Sequence, residues 1–166
     1  MTTDSHLPDH SAAYRGVRER IIDLVRSEPP ERQMMVAPAT PDWRVHDVVA
    51  HLAGATSDVL AGRLEGVGSD PWTAKQVEDR HDVLTEVVLD EWDTNSVQID
   101  PMVPTFGPAS GQIVLDAVTH EHDIRDDLHP PHRGLHRLSQ AVAARTSRAA
   151  SRSVSNTHTR NPSTSA

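Results

Sequence analysis

The chain has 166 residues, 36% of them hydrophobic and only 3% aromatic, enough for one domain with an aliphatic core and too few for two full domains. It contains no cysteine, which excludes disulfides, thiolate metal sites and a cysteine nucleophile, so any thiol chemistry needs a thiol from outside. Charge is uneven: residues 129–166 carry six Arg and no Lys, Asp or Glu, while the remainder holds ten basic and 24 acidic groups.

An acidic body repels nucleic acid at long range, and the basic tail has no aromatic residues on which bases stack, so no nucleic-acid partner is expected. The opening MTTDSHLPDHSAAYRG has neither a basic n-region nor an apolar h-region, so no secretory signal is expected. No apolar run of about 18 residues exists to cross a bilayer, and the expected location is cytoplasmic, without membrane contact.

In chain order, residues 12–27 place Tyr14, Val17, Ile21, Leu24 and Val25 on one helical face, with Ser11 as the expected N-cap and Pro29-Pro30 as the stop. Thr40-Pro41-Asp42-Trp43 reads as a turn into a second helix over about 44–65, whose inner side carries Val45, Val48, Leu52 and Val59. Asp70-Pro71 reads as an N-cap followed by an N1 proline and starts a third helix, with Val77, Leu84, Val87, Val88 and Trp92 as its stripe. Residues 93–109, with three prolines and Gly107, read as a loop before a fourth helix over about 110–127. No segment alternates with period two. The predicted fold class is all-α: an antiparallel four-helix bundle over 10–128. The polar tail 129–166 is expected to be disordered, because it offers too little apolar surface to offset its ordering entropy.

Most of the eleven histidines have plain explanations: His6, His10, His129, His132, His136 and His158 sit in polar or Pro-rich stretches. His51, inside VHDVVAHLAG, lies mid-helix on the flank of the Val48–Leu52 stripe among small residues. By itself it reads as a core-edge histidine bonded to a carbonyl. The fourth helix adds Asp116 and His120, an i, i+4 pair on the face that also carries Ile113, Ala117 and Ile124. An inward carboxylate is costly without a cation, and no Lys or Arg stands clearly on an inward face, so a metal is the expected partner. His122 and Glu121 fall off that face, and Asp123 is placed to orient a ligand from behind. Two histidines and one carboxylate suit zinc, iron(II), nickel or manganese with open positions left over. No strand–turn–helix elbow surrounds Ser57 or Ser110, and no glycine-rich phosphate loop follows a strand. Asp126-Asp127 and Asp90-Glu91 read as solvated carboxylates.

Three separated segments then carry a resemblance. Residues 40–53, TPDWRVHDVVAHLA, resemble the TP-x-W-x-V-x-D-V-x-x-H-L signature of mycothiol-dependent maleylpyruvate isomerase-like proteins, metal-binding bundles of the DinB-like superfamily. DPWT at 70–73 and DAVTHEHDIR at 116–125 match in order. The resemblance implies a divalent metal, usually zinc, held by His51, Asp116 and His120, with Asp116 standing where the founding isomerase has Glu. It implies mycothiol as a cofactor, its thiol deprotonated at the metal's open position. The founding isomerase continues into a further C-terminal domain, whereas this chain has the basic tail, so the expected activity is thiol transfer or isomerisation on another small electrophile. The alternative is a non-catalytic metal-binding or interaction module with a relic site. Expected partners are the electrophile and the low-molecular-weight thiol, with a homodimer allowed.

Overall fold

The computed structural model describes residues 9–37 and 40–128. The tail 129–166 and its histidines lie outside the described residues. The described chain is helical, with six α-helices and one two-stranded sheet: α1 His10–Arg26, α2 Pro30–Gln33, β1 Val36–Ala37, β2 Thr40–Arg44, α3 Val45–Leu60, α4 Asp70–Glu78, α5 Thr85–Met102 and α6 Ala109–Leu128. A 3₁₀ turn, Val103–Phe106, joins α5 to α6.

Helix α1 buries Tyr14, Val17, Ile21 and Val25, four of the five apolar positions expected from its periodicity. Its N-cap is Asp9, which accepts from the Ala12 amide at 3.0 Å, and not Ser11. The Ser11 hydroxyl instead donates to the Asp100 carbonyl at 2.6 Å and ties α1 to α5.

Helix α3 is the central element and packs against α4, α5 and α6. Every residue from Val45 to Gly54 is buried, as expected of a helix surrounded by others. It starts where β2 ends. The Arg44 amide donates to Asp47 Oδ2 at 2.8 Å, and the Arg44 guanidinium grips both oxygens of Asp47 at 2.7 Å. Burial raises the Asp47 carboxyl, but these bonds outweigh it and hold the group below the usual carboxylate range. This joint fixes Trp43, two residues before the helix, against the inner face of the site. The hairpin β1–β2 is a strand pair that period-two reading misses, because it is short and irregular in register. Helix α3 ends at Leu60, and the chain then turns through Gly62, Gly66 and Gly68, all at positive φ.

The expected third helix is two. α4 ends at Glu78 and α5 begins at Thr85, with Leu84 as its N-cap. The interruption resets the helical phase. Leu84 and Val87 are therefore exposed, and the buried face of α5 is Val88, Leu89, Trp92, Ser96 and Ile99. The expected loop 93–109 is helical as far as Met102, with Pro101 in the last turn. Proline there removes one bond to the Val97 carbonyl, and Val97 is exposed, so water can take its place.

The expectation that no cation faces inward is corrected by Arg18. It is 4% exposed and donates to Asp100 Oδ1 at 2.7 Å, while Arg15 reaches Oδ2 at 2.9 Å. This ion pair serves the α1–α5 contact. Asp127, expected to be solvated, is buried. Among the described residues no helix is long and apolar enough to cross a membrane.

Candidate metal centre

Helices α3 and α6 bring His51, Asp116 and His120 together, with one ligand atom from each lying within 4.8 Å of the others. The geometry is nearly symmetric about the carboxylate. His51 Nε2 stands 3.6 Å from Asp116 Oδ2, and His120 Nε2 stands 3.6 Å from Asp116 Oδ1. Both distances are too long for a good hydrogen bond. They are close to the ligand–ligand spacing of about 3.3 Å that bonds of about 2.0–2.1 Å produce around a tetrahedral zinc.

The rings are held from behind. His51 Nδ1 lies 2.7 Å from Gln76 Oε1 on α4. Among the described residues His120 Nδ1 is buried without a hydrogen bond, and Asp123 Oδ2 stands 3.5 Å from it, as expected from their i, i+3 spacing. Trp43 lies nearly parallel to the His120 ring at 6.3 Å and tilted over His51 at 5.7 Å. Trp72 meets His51 edge-on at 6.5 Å, its indole N–H donating to the Arg63 carbonyl at 3.2 Å.

Asp116 is not the buried carboxylate that helical phase suggests, since its side chain is 52% exposed. It stands on the flank of α6, where water reaches one side and the two imidazoles cover the other. Burial raises its carboxyl, yet the His51 ring and the nearby His120 outweigh that and hold it below the usual range. His120 is lowered, first by burial and then by the neighbouring His51, against the upward pull of Asp116 and Asp123. At neutral pH the site therefore offers an ionised carboxylate and a neutral His120 with a free lone pair, the protonation states a divalent cation needs. The convergent Nε2 atoms and the charge of the donor set fit such an ion.

Next to His120, Glu121 clamps α6 to α1. Arg20 donates to both of its oxygens at 2.8 and 2.7 Å, and Arg125 adds a bond at 2.7 Å. The Arg20 bond, assisted by Arg125, pushes the Glu121 carboxyl down to about 2. His122 faces solvent, as its phase predicts.

The other polar groups serve packing. His46 is buried between the Thr85 hydroxyl at 3.0 Å and the Arg80 carbonyl at 3.1 Å. Ser57 donates to Glu91 at 2.5 Å, and Arg80 holds the same carboxylate, so Glu91 is not the solvated group expected from sequence. Ser110 lies 2.6 Å from His10 and 2.7 Å from the Gly107 carbonyl at the start of α6. An open cleft of about 450 Å³ between the start of α3 and α4 shares Trp43 with the centre, but none of the three candidate ligands lines it. Gln76 is the main residue of the site that sequence patterning misses, since nothing local marks a glutamine one helix away as the partner of His51.

Comparison of the chain with protein-family models, with curated proteins and with solved structures finds no match.

Proposed function

We propose that the chain is a divalent-metal protein of the maleylpyruvate isomerase-like kind, using a low-molecular-weight thiol such as mycothiol on a small electrophile. The observation that carries this is the convergence of His51 Nε2 and His120 Nε2 on opposite oxygens of Asp116, each at 3.6 Å. The half-exposed side of Asp116 supports an open coordination position, as catalytic centres have and closed structural sites lack. Bound there, a divalent cation would lower the pKa of a thiol or water and leave it nucleophilic at neutral pH. Asp116 supplies the negative charge of the donor set, and the two imidazoles supply neutral nitrogens. Trp43 and Trp72 flank the rings and would exclude water from one side of an incoming ligand.

The thiol and the bundle of DinB-like topology rest on the sequence motifs at 40–53, 70–73 and 116–125. The test is calorimetric titration of mycothiol into the zinc-loaded chain, with the metal-free chain as control. Saturable binding that requires zinc is expected. Zinc binding without thiol binding would leave a metal-binding module and overturn the enzymatic assignment.

A further inference from the structure

A neutral imidazole can carry its proton on either nitrogen, and only the nitrogen without it can bind a metal. The surroundings of His51 decide which. Its Nδ1 faces Gln76 Oε1 at 2.7 Å, and the Gln76 side chain is 2% exposed. The amide cannot be turned round, because Gln76 Nε2 lies 2.8 Å from Asp58 Oδ2, and a carboxylate accepts only. Asp58 is in turn held by Arg63, whose Nε donates to Oδ1 at 2.8 Å. The Gln76 carbonyl therefore faces His51, Nδ1 carries the proton, and the lone pair of the neutral ring falls on Nε2, the atom turned toward Asp116.

We propose that Gln76 is a positioning residue that locks His51 in its metal-binding tautomer, and that Asp58 locks Gln76. The proposal rests on His51 being a ligand. Gly54, one turn after His51, makes room for the contact, since a Cβ there would stand 2.6 Å from Gln76 Cβ. Among the described residues nothing comparable backs His120, whose Nδ1 has only Asp123 at 3.5 Å. The tautomer is thus imposed on the α3 side of the centre. A glutamine that merely filled space would not need an anchored amide with its carbonyl on the imidazole.

Two measurements on the full chain test this. In the metal-free protein, nitrogen-15 imidazole spectra should show His51 protonated on Nδ1, and Gln76→Leu, of similar volume, should shift the proton toward Nε2. Zinc affinity should fall about 10–100-fold in the folded Gln76→Leu variant, as for other residues that support a metal-bound histidine. The paired change D58N/Q76E reverses donor and acceptor while keeping an acceptor on His51, and it should restore both tautomer and affinity. An Nε2-protonated His51 in the wild type, or unchanged zinc affinity in a folded Gln76→Leu, would overturn the proposal. Absence of zinc binding by the wild type would overturn the ligand assignment of His51 itself, a different failure from unchanged affinity in the variant.

Discussion

His51 and His120 present the same atom to Asp116 at the same distance, yet the protein holds them in different ways. His51 belongs to a helix buried from Val45 to Gly54, and its far nitrogen is fixed at 2.7 Å by a buried amide that is itself anchored. His120 belongs to α6, where Leu115, Asp116 and His122 face water and the far nitrogen has a carboxylate only at 3.5 Å. One half of the centre is built into the core and the other half is laid along the surface. In the proposed centre, the difference would separate a preorganised ligand from two that can adjust to an ion and to whatever joins it.

Disturbing the rigid half should have the largest effect. Gly54→Val would drive a branched side chain into Gln76 and the Arg80 guanidinium, which lies 2.8 Å from the ideal Cβ position. Overpacking of this kind costs about 2–3 kcal/mol, read as a lower urea midpoint, and zinc affinity should fall with it because Gln76 is displaced.

On the α6 side the main support is mechanical rather than local. Glu121, held by Arg20 and Arg125, has its carboxyl pushed down to about 2 from an ordinary value of 4.5. Because the folded value lies below the unfolded one, the clamp contributes stability above about pH 4.5 and loses it as the pH falls toward about 2. Glu121→Gln should lower stability by about 1–2 kcal/mol at pH 7 and flatten the acid limb between those values. Urea unfolding of the metal-free chain across that range measures it.

The smallest effect is expected at Asp123. Its contact with His120 is long, so Asp123→Ala should change zinc affinity by no more than about threefold, against the about 10–100-fold loss expected for Gln76→Leu. Equal losses in the two variants would erase the contrast between the halves.

The same contrast explains what could be read from the sequence. Asp116, His120 and Asp123 share one helix, so their relation follows from a period of 3.6, and the phase that selected His120 also sent His122 to solvent. His51 stood out by its place among small and apolar residues of a strongly patterned helix. Gln76 did not, because its role depends on α4 crossing α3 at Gly54, a tertiary contact with no local signature. The break at 79–84 was hidden for a related reason: the sequence DRHDVL contains neither proline nor glycine, and without a stop signal the apolar phase ran on to Leu84 and Val87. Pro101 misled in the opposite direction, since a proline in the last turn of a helix costs one bond at an exposed position and ends nothing early. The half-exposure of Asp116 was also beyond periodicity, which assigns a face but not the depth of a flank.

The most direct measurement is the metal content of the full chain and of the His51→Ala/His120→Ala variant after equilibration with zinc and removal of excess ion. About one zinc per wild-type chain and none in the folded double variant is the predicted result. Wild-type protein without zinc, or a double variant that retains it, would contradict a centre formed by His51, Asp116 and His120.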